Sequence, residues 1–133
     1  MGGFSYLTAD HRLAQGSAPP PGVRLPFEVV VLAAEEYQPD LPGFTVLRVP
    51  LDDGPPPDKA TRLRIREAAR RVAACVRGGQ RVLVTCFAGR NRSGVIAGLA
   101  LRQLGVPGDV AAQRIRQLRD GLTNPYFYAM VVT

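Results

Sequence analysis

A continuous apolar, β-branched run from Phe27 to Ala33 (FEVVVLA) predicts a central strand covered on both faces by helices. After a Pro and Gly turn, Phe44 to Val49 (FTVLRV) predicts a second strand ending at Pro50, and LDDGPPPD then forbids helix and strand alike. Ile65, Ala69, Val72 and Val76 recur at helical spacing, so a helix is expected from a cap at Asp58 to about Arg77, stopped by Gly78 and Gly79. Its arginines Arg62, Arg66 and Arg70 fall on the opposite face and read as a solvated stripe, ahead of a nucleic-acid or acidic-protein surface. Cys75, beside Val72 and Val76, reads as a core thiol. Arg81 to Thr85 (RVLVT) predicts another buried strand that runs without a break into CFAGRNRSG, then into the helical VIAGLALRQL with its Gly105 stop. A further helix covers Asp109 to Arg119, with Ala111, Ile115, Leu118 and Leu122 facing inward, and a last short helix opens near Asn124 and Pro125. The first 26 residues are expected to be irregular, apart from a short extended piece around Arg12 to Gln15. Without repeats, this order predicts an α/β domain: a small, central, mostly parallel sheet flanked by helices.

Composition narrows the chemistry. At 133 residues and 46% hydrophobic, the chain reads as one domain, 1–133, able to hold a core without staples. Two cysteines and a single histidine, His11, are too few for a disulfide framework or a His and Cys zinc cage, so neither metal nor cofactor is expected. No apolar run approaches the roughly 18 residues of a membrane span, and no signal peptide pattern is read, so a cytoplasmic protein with free thiols is expected. Lipid anchors are not expected either: Tyr6 stands where myristoylation wants Ser or Thr, and AMVVT is no prenylation box. Of the 17 basic residues behind the net charge of +6, only Lys59 is a lysine, and this balance favours anionic partners. Because arginine bias can also follow from base composition, only placed arginines are informative.

Cys86 opens a loop between strand and helix, with Gly89 three, Arg92 six and Ser93 seven residues on. Such a loop turns successive backbone N–H groups inward, and with the helix dipole behind them they cradle a tetrahedral oxyanion. Phe87, Ala88, Gly89, Arg90, Asn91 and Arg92 are therefore the expected phosphate-binding residues. Glycine permits the curl, and the planar Arg92 fork can grip two phosphate oxygens at once. The same donors favour a thiolate at Cys86, and Ser93 can donate a hydrogen bond to it. A departing alkoxide or phenoxide also needs a proton, and the Pro-rich loop offers Asp52 and Asp53, 34 and 33 residues before Cys86.

CFAGRNRSG resembles the Cys-x5-Arg-Ser/Thr signature loop of the cysteine-dependent protein tyrosine phosphatase superfamily, and its late position in a chain of this length resembles the dual-specificity branch. The likeness extends from the strand at Phe27 to the terminal helix, where TNPYFYAMV is similar to an Asn-x-x-Phe stretch that closes many dual-specificity domains. VPLDDGPPP resembles the general-acid loop of the phosphatases of regenerating liver, where the second aspartate is the acid; this implies Asp53 over Asp52. Thr85 departs from the family, which usually has histidine before the cysteine, and leaves thiolate stabilisation to the loop amides, Arg92 and Ser93.

The resemblance implies a metal-independent phosphomonoesterase with Cys86, Arg92, Asp53 and Ser93 as catalytic residues. Phosphotyrosine in proteins is the first substrate, with phosphoserine and phosphothreonine beside it. Asn91-Arg92 is also similar to the loop ending of RNA 5′-triphosphatases, and Arg90 stands where phosphoinositide phosphatases carry a lysine, so both remain alternatives. Against RNA, that branch typically dispenses with the aspartate. A phosphate-binding module without turnover would need the cradle but not Asp53, and a rhodanese-like sulfur carrier would have no use for Arg92-Ser93.

Overall fold

The computed structural model describes residues 3–133. Met1 and Gly2, at the head of the segment read as irregular and unmyristoylated, lie outside the described residues. In chain order the elements are β1 (Phe4–Tyr6), β2 (Leu13–Ser17), β3 (Val29–Ala34), β4 (Thr45–Leu51), α1 (Lys59–Arg77), β5 (Val82–Cys86), α2 (Arg92–Gln103), α3 (Gly108–Arg119) and α4 (Pro125–Val132). The strands form one sheet in the order β1-β2-β5-β3-β4, parallel except for β1, which runs antiparallel to β2. The expected α/β architecture with a small, mostly parallel sheet is therefore the one found.

Helices cover only one face of that sheet, contrary to expectation. Leu13, Val29, Val31, Ala33, Val82 and Val84 point into a core shared with α1, α2, α3 and α4. Alternate residues Ala14, Val30, Leu32 and Leu83 point the other way, against Phe27 and Leu41, with Phe4, Leu25 and Phe44 at the margin. Loops and aromatic side chains seal this second face: the Phe4 and Phe27 rings meet edge to face at 5.0 Å. A strand buried on both sides reads as apolar whatever buries it, so the run in β3 could not distinguish helix from loop.

Four further expectations are corrected. The opening segment is not irregular: β1 and β2 complete one side of the sheet, and β2 is buried although LAQGS lacks β-branched residues. β4 continues through Pro50 to Leu51, as an edge strand can, since a missing N–H on its open side breaks no ladder bond. Leu118 is 48% exposed while its predicted companions Ala111, Ile115 and Leu122 are buried. Cys75 is half-buried at the margin of the core rather than inside it. No helix among the described residues is long and apolar enough to cross a membrane.

The starts of α1 and α4 are fixed by side chains the sequence suggested. Asp58 accepts a hydrogen bond from the Thr61 N–H at 2.8 Å, and Asn124 caps α4 by accepting from Tyr126 and Phe127. The parallel register sets Ser17 beside Cys86 and Ala34 beside Leu51, so β2, β5, β3 and β4 end along one edge. The segments that follow them, including 35–36, 52–53 and 87–91, gather where parallel sheets place their ligands.

Candidate active site

Cys86 is the last residue of β5, and α2 starts at Arg92, earlier than the apolar pattern from Val95 suggested. The five residues between form the loop. None of the backbone N–H groups of residues 87–91 donates a hydrogen bond within the described residues. Their carbonyls are tied elsewhere: Gly89 O accepts from Gln15 Nε2 and Arg119 Nε, both at 3.2 Å, and Arg90 O accepts from Gln15 Nε2 at 3.3 Å and the Leu122 N–H at 3.4 Å. A loop whose carbonyls are fastened to the body of the protein has its N–H groups left for another acceptor, the arrangement that binds oxyanions.

Gly89 makes that curl possible. Its φ is +71°, and a Cβ there would lie 2.6 Å from the backbone carbon of Gly16 and from the Arg119 guanidinium. Gly89→Ala is therefore expected to cost at least about 1 to 2 kcal/mol from the left-handed backbone alone, measured as lower thermal stability, and to disable the loop. An alanine variant with parental stability would show that the loop has another shape.

Cys86 is 2% exposed, with Sγ 3.2 Å from the hydroxyl of the fully buried Ser93. Thr85 does not take up the role of the absent histidine, because its hydroxyl donates to Val31 O at 2.6 Å inside the sheet. Arg92 is 8% exposed and held as a fork: Nη2 donates to Glu36 at 2.7 Å, Nη1 to the other Glu36 oxygen, and Nη1 also to Leu51 O at 3.1 Å. Those bonds pull the Glu36 carboxyl down to about 2 and push the guanidinium up. Arg92 Nε is buried with no partner among the described residues, a donor oriented by its own salt bridge and open to one more acceptor.

Asp53 follows β4 and is held at both carboxylate oxygens: Asn124 Nδ2 donates at 2.9 Å and Asn91 Nδ2 at 3.1 Å. Asn91 thus couples the loop to the aspartate, while its own Oδ1 accepts from the Thr123 and Asn124 N–H groups at 2.8 and 3.1 Å. Asp52 makes no hydrogen bond or ion pair among the described residues. Glu35, Glu36, Asp52, Asp53 and Arg92 line an open cleft of about 570 Å³. A second cleft, about 660 Å³, touches the loop at Phe87, Ala88 and Arg90; there Arg90 is on the exposed rim, 3.6 Å from Asp120.

Cys75 cannot join Cys86 in a disulfide in this fold. Its carbonyl accepts from the Gln80 N–H just before β5, whereas Cys86 ends that strand. Five strand residues separate the two by roughly 13 Å or more, beyond the roughly 7 Å that a disulfide tolerates between Cα atoms.

Reasoning from sequence missed Glu36, Gln15 and Arg119 at the loop, and it saw Asn124 only as a helix cap. The Asn-x-x-Phe likeness was the one available signal for Asn124. Single polar residues distant in the chain gave none for the others.

A family model described as "Tyrosine phosphatase family" matches residues 57–114, which include α1, β5, the loop and α2. The human protein tyrosine phosphatase type IVA 3 is 40% identical over 85 residues, covering 62% of this chain and 47% of that protein. The chain thus spans about half the length of the curated relatives it matches. Among solved structures, human DUSP28 superposes with a TM-score of 0.76 at 27% identity, covering 90% of this chain and 85% of that one. A mouse dual specificity phosphatase complexed with zinc tungstate gives 0.66 at 30% identity, covering 79% and 67%. Likeness in sequence and in fold both run through the segment that carries Cys86 and Arg92, and the chain belongs to the cysteine-dependent protein tyrosine phosphatase superfamily, in its dual-specificity branch.

Proposed function

We propose that the chain hydrolyses phosphotyrosine in proteins, with phosphoserine and phosphothreonine beside it, through a cysteinyl-phosphate on Cys86. The observation that carries this reading is the loop whose N–H groups of residues 87–91 have no partner among the described residues, closed by an Arg92 whose buried Nε lacks one there as well. A phosphoryl group seated there has its oxygens met by N–H donors, and Cys86 Sγ lies at the base of the loop.

In the first step the Cys86 thiolate attacks phosphorus, an S–P bond forms, and the P–O bond to the leaving group breaks. Asp53 gives that oxygen its proton. In the second, water attacks phosphorus and gives a proton to Asp53 while the S–P bond breaks, and Ser93 donates a hydrogen bond to the departing thiolate. Asp53, held by Asn91 at the loop itself, is favoured over the unanchored Asp52 as that acid and base. Arg92 binds the equatorial oxygens, with Glu36 fixing the plane of its fork.

Rates on an aryl phosphate, phosphotyrosine and phosphoserine peptides, a phosphoinositide and a triphosphate-ended RNA, measured without metal, test the substrate class. Turnover of the aryl phosphate and the phosphotyrosine peptide, blocked by vanadate and indifferent to EDTA, is the expected result. Preference for the triphosphate end or the inositide would replace the protein substrate while keeping the chemistry, and binding of phosphate without turnover would leave a recognition module.

Arg92→Lys keeps the charge but loses the paired contacts, both to Glu36 and to the phosphoryl oxygens. It is expected to lower kcat/KM for the aryl phosphate by about a hundredfold, the scale of losing one preorganised transition-state donor. A lysine variant within threefold of the parent would place Arg92 away from the phosphate.

A further inference from the structure

Gln15 is fully buried on β2, in the middle of a strand whose neighbours are apolar. Its Nε2 lies 3.2 Å from Gly89 O, 3.3 Å from Arg90 O and 3.0 Å from Ser93 Oγ. The two carbonyls decide which end of the amide faces the loop. Both are acceptors only, so the nitrogen must point at them; the reverse orientation would set Oε1 against two carbonyl oxygens. Gln15 Oε1 is left buried and without a partner among the described residues, a cost the protein bears to keep the donor end at the loop.

This fixes the hydrogen of Ser93. A hydroxyl has one proton, and its oxygen already faces a donor in Gln15 Nε2. The proton is then free for the other neighbour, Cys86 Sγ at 3.2 Å. We propose that Gln15 is a positioning residue of the active site: one of its two amide hydrogens is shared by the two loop carbonyls and fastens them outward, and the other goes to Ser93 and turns the serine hydroxyl toward the Cys86 sulfur, so that the thiolate is favoured before attack and as leaving group. Arg92, at the start of α2, and Arg119, on α3, are the charged groups that also act on Cys86; Glu36 and Asp53 act on Arg92. None of these contacts Gln15 by hydrogen bond, so its effect travels through Ser93 and the loop.

The proposal rests on the reading of Cys86 as the nucleophile, and the test separates the two. The pH dependence of Cys86 alkylation by iodoacetamide, followed by mass mapping so that Cys75 does not interfere, reports thiolate formation without turnover. Gln15→Leu and the more linear Gln15→Met are expected to move the midpoint upward by about one pH unit, the effect of weakening one hydrogen bond to the charged form. In a Ser93→Ala background the same substitutions should move it by less than a third of that, because the hydroxyl they orient is gone. An equal shift in both backgrounds, or no shift in either, overturns the relay.

The native protein gives a second measurement that needs no variant. Its Gln15 side-chain amide signals, in nitrogen-15 NMR, should move with pH at the same midpoint as Cys86 alkylation, and signals that ignore that ionisation would also overturn it. Failure of the nucleophile reading looks different: Cys86→Ser would still hydrolyse the aryl phosphate, whatever Gln15 does to the thiol.

Discussion

Cys86→Ser is expected to abolish hydrolysis of aryl phosphates and phosphopeptides while leaving phosphate or vanadate binding within a few-fold. The loop donors and the Arg92 fork are untouched by the change, so the cradle stays. A hydroxyl at that position is a neutral, hardly acidic group, and the nucleophile of this chemistry is a thiolate, which serine cannot supply. The measurement is steady-state turnover beside equilibrium binding of the oxyanion to the same variant. Residual turnover above a thousandth of the parent, once contaminating phosphatase is excluded, would sink the cysteinyl-phosphate route. Loss of binding along with turnover would show instead that the substitution disturbed the loop.

Asp53→Asn should be the second largest effect, and it depends on the leaving group. The substitution preserves shape and one of the two amide contacts, from Asn91 or Asn124, but removes the proton that the proposed mechanism gives to the departing oxygen. An ester with a poor leaving group is expected to slow by about 10²- to 10⁴-fold, and one whose leaving group departs unprotonated should change little. The pH profile carries the same information. On the proposed mechanism the active form needs a Cys86 thiolate and an Asp53 acid, so a bell-shaped profile is expected whose fall Asp53→Asn should remove.

Glu36 does not confuse the rising limb. With its carboxyl drawn down to about 2 by Arg92, it stays ionised across the working range. Because that folded value is depressed, the stability it adds is fully present above the ordinary carboxylate range and is lost only as pH falls toward 2. Asp52→Asn should leave the bell intact. If Asp52 and Asp53 exchange these outcomes, Asp52 is the acid; if neither alters the falling limb, the chain works without an aspartate and a triphosphate end becomes the favoured substrate.

The sequence by itself determined whatever is written locally. Ile65, Ala69, Val72 and Val76 at helical spacing, with Asp58 before them and glycines after, specify α1 without reference to anything else. The same is true of the β5-loop-α2 unit: Cys86, Gly89, Arg92 and Ser93 lie within eight residues, so one short segment holds the proposed nucleophile, the curl, the fork and the hydroxyl. The Pro-rich loop offered Asp52 and Asp53 together, and local sequence did not separate them.

Only the tertiary structure decided who faces that loop. Gln15 reaches it from 74 residues away, Glu36 reaches Arg92 across 56, and Asn124 reaches Asp53 across 71. These are single polar residues with no period, and in a strand such as LAQGS a buried glutamine reads like a solvent-facing one until its acceptors are known. The side of the sheet taken by the helices was likewise unreadable, since β3 is apolar on both faces whether helix or loop covers it. Leu118 shows the converse: its type suits a core, but the turn of α3 leaves it at the rim of a cleft beside Phe87. Periodicity records which residues avoid water, whereas partners are set by register, and register puts the ends of β2, β3, β4 and β5 along one edge only when the whole sheet is assembled.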